Sequence, residues 1–176
     1  MKKNSKLVLT VKDITLIGLM VAVIEVCKVA MAHIPNIELT TFWVIMFSLY
    51  FGKRIYYVIP AFILIEGVMY GFGLWWIMYL YLWPSLAILT RIFRKADSLF
   101  TFSILSGTYG LLFGFFGAIP YIFVGAADGG LMNGFRVATA WWIAGIPWDL
   151  VHGVANFVLM LVLYRPVRHI MNKLPA

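Results

Sequence analysis

Long apolar runs, interrupted by short polar or glycine-rich stretches, set the pattern of this chain. A helix needs about 20 predominantly apolar residues to cross a bilayer. On that measure the runs predict six spans, at about 12–33, 38–51, 55–70, 74–92, 100–124 and 143–164. The breakers between them are Pro35-Asn36, the "FGKR" of 51–54, the "GFG" of 71–73, the "RKADS" of 94–98 and the glycine-rich "GAADGGLMNG" of 125–134; Gly, Pro and Asn at such spacing punctuate helices. Two of the runs are short for a bilayer, which implies tilt or a span that ends early at a cavity.

Composition agrees with the pattern. The 176 residues are 63% hydrophobic and 12% charged, against about 45–50% and about 25% in a soluble domain. This is the make-up of an all-α integral membrane protein. The opening "MKKNSKLVLTVKD" is basic and lacks a small-residue cleavage pattern, so it predicts a lead-in to the first span and not a removable signal. Cys27, the single cysteine, lies within an apolar run and offers neither a disulfide framework nor a metal cluster.

The net charge of +7 changes the picture only through its distribution. Lys2, Lys3, Lys6 and Lys12 precede the first span. Lys53 and Arg54 follow the second, Arg91, Arg94 and Lys95 follow the fourth, and Arg165, Arg168 and Lys173 follow the sixth. With six spans these twelve of the fourteen basic residues fall on one side, leaving only Lys28 and Arg136. The positive-inside rule makes that side the cytoplasm. Both termini are then cytoplasmic, and the connections at 34–37, 71–73 and 125–142 face outward. The charge is a topology signal, with the lipid bilayer as its partner and no nucleic acid implied.

Ionisable groups within spans mark sites or pathways. Glu25 and Lys28 stand at i, i+3 in the first span and are expected to pair. Glu66 and Tyr70 end the third span. In the fourth, Trp76, Tyr79 and Trp83 share a face, an aromatic surface for a ring, while Trp75 fits an interfacial belt. In the sixth, Asp149, His152 and Asn156 share a face beneath Trp148. Asp149 has a second reading as a helix cap, where the macrodipole favours a carboxylate. With Glu38 and Asn36 in the first outward connection, these residues predict an outward-opening pocket of aromatic walls and a few placed polar groups.

Several chemistries lack their motifs. The chain has no "GxxxxGK[ST]" loop for ATP, no "HExxH", no Cys or His metal spacing and no G-x-S-x-G elbow. No cofactor is implied.

The residues resemble a family at this point: the substrate-binding S components of energy-coupling-factor vitamin transporters of bacteria and archaea. The resemblance lies in chain size, the six-span pattern, "IPNIEL" after the first span, "LYFGKR" after the second, "EGVMYGFGLWW" across the third connection, and the polar face opening the sixth. It implies one substrate-binding domain over residues 1–176. It implies no enzymatic activity, but capture of a vitamin-like molecule outside the cell and delivery inward by toppling. The implied partners are a coupling membrane protein and two ATPase subunits. Gly18-x-x-x-Ala22 matches the family's small-residue docking pattern, with Gly in place of the first Ala. Two other readings stand beside this one. One is a membrane enzyme acting on a lipid or isoprenoid with Asp149 and His152 as acid and base. The other is a purely structural assembly subunit.

Overall fold

The structure, a computed structural model, describes residues 9–96 and 98–173. Lys2, Lys3 and Lys6 lie outside the described residues. Among the described residues all regular structure is helical, with no strand. The helices are α1 (Val11–Met31), α2 (Thr40–Tyr50), α3 (Ile55–Tyr70), α4 (Leu74–Phe93), α5 (Leu99–Leu111) and α6 (Phe113–Met171). Three helical stretches, Val11–Met31, Leu74–Ala96 and Leu99–Met171, are long and apolar enough to cross a membrane.

Local chemistry marks several boundaries of the first four helices. Thr10 and Asp13 close a reciprocal capping box at the start of α1. The chain leaves α1 through a turn in which Asn36 takes φ 57°, a left-handed conformation that Asn tolerates better than most residues. Gly71, at φ 89°, ends α3, and Gly73 precedes α4. Pro60 and Pro84 lie inside α3 and α4.

The short α2 is the hub. Eight of its eleven residues are buried, and it touches α1, α3, α4, α5 and α6. It rises only about 16 Å, half of a hydrocarbon core about 30 Å thick. A helix covered on every side has little need to reach both faces of a bilayer. Val44, Ile45 and Met46 belong to one core with Ile55, Phe62, Leu82 and Met160, all fully buried.

Basic residues that are distant in sequence gather at one end of the bundle. Arg54 Nε donates to Asp13 Oδ1 at 2.7 Å, and the Arg91 guanidinium lies over the Tyr56 ring. Arg94, Lys95 and Arg168 surround one cavity of about 380 Å³. Glu38, Glu66 and Tyr70 sit at the opposite end.

The last third of the chain departs from the sequence expectation in two places. The expected fifth span, 100–124, is broken at Leu112, between α5 and α6. The glycine-rich stretch 125–134 and the residues up to 142 are not an open connection. They are helical except at Gly129 and Gly130, where α6 folds back on itself as two arms, 113–128 and 131–171. Only Gly130, at φ 76°, takes a left-handed conformation there. The second arm measures about 60 Å, well beyond the expected sixth span of 143–164.

The remaining small residues serve packing. A Cβ on Gly125 would lie 2.9 Å from the Cα of Gly134, and one on Gly134 would overlap the carbonyl oxygen of Ile122. Asn133 Nδ2 bridges the arms to Gly125 O at 2.8 Å, and Tyr121 stacks on Trp141 at 4.8 Å. Gly134→Val should therefore destabilise the protein by about 1–3 kcal/mol, the usual cost of overpacking. Gly145→Ala, where a Cβ meets nothing within 4 Å, should be neutral or mildly stabilising. Thermal unfolding of both variants in detergent checks this, and equal midpoints would show that the arms do not depend on close approach.

Candidate functional site

A cavity of about 490 Å³ opens at the end of the bundle away from the basic cluster. Its walls come from four places. The end of α1 and the following turn supply Lys28, Met31 and residues 34–38. The end of α3 supplies Glu66 and Tyr70. The start of α4 supplies Trp75, Met78 and Tyr79, and the first turn of α6 supplies Phe113. The volume suits a small organic molecule, and the mixture of apolar walls and few polar groups is that of a ligand site.

Glu38 is the best-bonded side chain at this end. Its carboxylate accepts from the backbone N–H of Thr40, from the N–H of Thr41 at 3.1 Å and from Thr41 Oγ1 at 2.5 Å. These N–H groups are the free donors at the start of α2, where a negative charge also meets the favourable end of the helix dipole. His152 Nε2 reaches Glu38 Oε1 at 3.2 Å, as donor in a bond the carboxylate can only accept. Asn156 Nδ2 donates to Thr41 Oγ1 at 3.2 Å. The turn before α2, the start of α2 and the second arm of α6 are thus tied by one buried polar network.

Lys28 and Glu66 form the second polar feature. Lys28 Nζ pairs with Glu66 Oε2 across α1 and α3. The ammonium also lies over the rings of Phe62, Tyr70 and Tyr79, at 5.9, 5.3 and 5.5 Å from their centroids, a favourable cation–π cage. Glu66 is fully buried. Its Oε1 has no hydrogen-bond partner among the described residues, and neither oxygen of Glu25 has one. The expected Glu25–Lys28 pair is therefore replaced by Lys28–Glu66. Helix periodicity brings positions 25 and 28 to one face, but the tertiary fold offers Lys28 a carboxylate within bonding distance.

The other expected site residues fall into two groups. Glu38, Glu66, Tyr70 and Tyr79 line the cavity. Trp76, Trp83, Trp148, Asp149, His152 and Asn156 do not. Trp76 turns toward α3, where its Nε1 donates to Ile63 O at 2.8 Å. Trp83 is buried among Phe62, Tyr79 and Phe113. Trp148 is exposed on the outside of the bundle. Asp149 Oδ1 accepts from Gly114 N at 2.9 Å, so it caps the first turn of α6 from the second arm and does not cap a helix start of its own. His152 and Asn156 stand behind Glu38 and Thr41 as supports. The aromatic face of α4 and the polar face of α6 consequently do not oppose each other across the opening.

Trp75, assigned to a belt by its boundary position, lines the cavity, and so does Phe113. Trp75 lies next to an expected pocket face and was within reach of sequence reasoning. Phe113 carried no signal, because its place depends on the break at Leu112. Gly18 and Ala22 lie exposed along α1, and a Cβ on Gly18 meets nothing within 4 Å. Among the described residues no three His, Cys, Asp or Glu side chains stand together so as to hold a metal ion. Comparisons with protein-family models, curated proteins and solved structures find no match to this chain.

Proposed function

We propose that this chain is the substrate-binding S component of an energy-coupling-factor importer. In this reading it is a six-span protein of the cell membrane with both termini cytoplasmic. It captures a vitamin-like molecule at its outer face and delivers it inward with a coupling membrane protein and two ATPase subunits. One observation carries the proposal: the cavity of about 490 Å³, with Lys28 in its wall, lies at the end of the bundle remote from the cluster of Arg54, Arg91, Arg94, Lys95 and Arg168. Under the positive-inside rule this is the outward end. A site that faces outward, with no ATP-binding loop in the same chain, fits capture by one subunit and energy supply by another.

The enzyme reading draws less support. Asp149 is engaged with Gly114 N and His152 with Glu38, and neither lines the cavity. Acid–base catalysis requires the group to reach the proton it moves, directly or through one water.

Native mass spectrometry of the purified protein tests capture directly. The expected result is a co-purified small molecule released unaltered on denaturation. A protein that never retains a small molecule from growth medium or vitamin mixtures, or that converts one, would contradict the reading.

Coupling supplies a separate prediction. The exposed Gly18 and Ala22 face is not used for packing inside the bundle, and small residues let a partner helix approach closely. Gly18→Leu or Ala22→Leu should abolish co-purification with the coupling protein and ATPases while ligand retention stays at the wild-type level. Normal recovery of the complex by both variants would remove this face from docking.

A further inference from the structure

The polar groups of the cavity differ in how much bonding capacity they have left. Glu38 has both oxygens engaged, by Thr40, Thr41 and His152. Lys28 is held by Glu66 Oε2 and caged by three rings. Glu66 differs from both. It is fully buried, it lines the cavity, and its Oε1 has no partner among the described residues. A buried acceptor left unmade is costly, and a donor arriving in the cavity would remove that cost.

An incoming anion meets the opposite situation. Lys28 keeps N–H donors beyond the one given to Glu66, but an anion drawn to it would stand beside the Glu66 carboxylate, which lies buried against the same ammonium in the same cavity and repels a like charge. Glu25, whose oxygens also lack partners, adds a second negative group one helical turn from Lys28. Around the donor-seeking oxygen stand flat aromatic walls: Tyr79, Tyr70 and Trp75 line the same cavity, with Trp75 edge-on to Tyr79 at 5.2 Å.

We propose that Glu66 Oε1 is the ligand-reading acceptor of this cavity, and that the ligand is a flat ring bearing an amine or ammonium N–H donor, not a carboxylate or phosphate. The inference rests on the capture reading above and adds the chemical class of what is captured. Lys28 then has a positioning role. It fixes one oxygen of Glu66 so that the other faces the ligand.

The test uses three probes that share a pyridine ring: meta-picolylamine, nicotinyl alcohol and nicotinate. They carry an ammonium, a hydroxyl and a carboxylate. Each is titrated into the purified full chain by calorimetry, with a detergent blank. The expected order is amine, then alcohol, then carboxylate, with the amine at least about tenfold tighter than the carboxylate, the scale of a charge-assisted hydrogen bond. In Glu66→Gln the amine should weaken by about tenfold and the alcohol should change little. If Glu66→Gln does not fold, the wild-type order alone decides.

Nicotinate binding as tightly as the amine, or tighter, overturns the inference, as does an amine affinity unchanged in folded Glu66→Gln. A set in which no probe binds also overturns it. The capture reading has its own measurement, so the two can fail separately. A co-purified anionic molecule would keep capture and remove Glu66 as its reader, whereas a protein retaining no ligand and no probe would remove both.

Discussion

Lys28→Met is expected to lower the stability of the folded protein by about 3–5 kcal/mol, the usual result of removing one partner of a buried ion pair. The reason is the carboxylate left behind. Glu66 has no solvent exposure, whereas the Lys28 side chain keeps 27% of its own. Lys28 therefore loses less water on folding than Glu66 does, and the pair is asymmetric. Removing Lys28 leaves a buried carboxylate without its counter-charge. Removing Glu66 leaves an ammonium that still contacts solvent and three aromatic rings. Glu66→Leu should accordingly cost less than Lys28→Met, and the double variant Lys28→Met/Glu66→Leu should recover most of the loss. Chemical unfolding of the three proteins in one detergent measures this. A double variant as unstable as the sum of its parts would mean that the two groups do not act as a pair, since coupled residues depart from additivity.

The fold was legible wherever a helix boundary is set by local chemistry. Pro35-Asn36 and Gly71 to Gly73 stop or start helices through backbone conformation alone. The expected spans at 55–70 and 74–92 accordingly match α3 and α4 to within a residue. The 125–142 region failed for the same physical property, small size, used differently. Gly125 and Gly134 sit inside helical arms because their lack of a side chain lets those arms touch, and only Gly129 and Gly130 leave the helix. Composition does not distinguish a glycine that turns the chain from one that admits a neighbour.

The site was legible by face and not by partner. Asp149, His152 and Asn156 were placed on one helical face, and all three are buried. What that face meets is decided by the start of α2 and the break at Leu112, neither of which helix periodicity records. The same holds for Trp76 and Tyr79, three residues apart. They share a stripe of α4, but α3 takes the indole of Trp76 and the cavity takes Tyr79.

Glu38 and Asp149 give the second large effect, through a contrast between two isosteric changes. Both residues are carboxylates that accept bonds at a helix start. Glu38 uses both oxygens as acceptors, from the N–H groups of Thr40 and Thr41, from Thr41 Oγ1 and from His152. An amide in that place keeps one acceptor and turns an NH₂ toward groups that are themselves donors. Glu38→Gln should therefore lose at least one charge-assisted bond and set donor against donor, at about 2–4 kcal/mol. The turn that forms one wall of the cavity loosens with it, so ligand retention should fall as well. Asp149 uses only Oδ1, on Gly114 N, while Oδ2 is buried without a partner among the described residues. An asparagine can keep the bond to Gly114 and exchange an unsatisfied charged oxygen for an amide, so Asp149→Asn should be nearly silent or mildly stabilising. Unfolding midpoints and ligand retention, measured side by side, decide the matter. Equal losses in the two variants would mean that the charge of the carboxylates matters more than the bonds they accept. A silent Glu38→Gln would show that the network behind the cavity does not hold its wall.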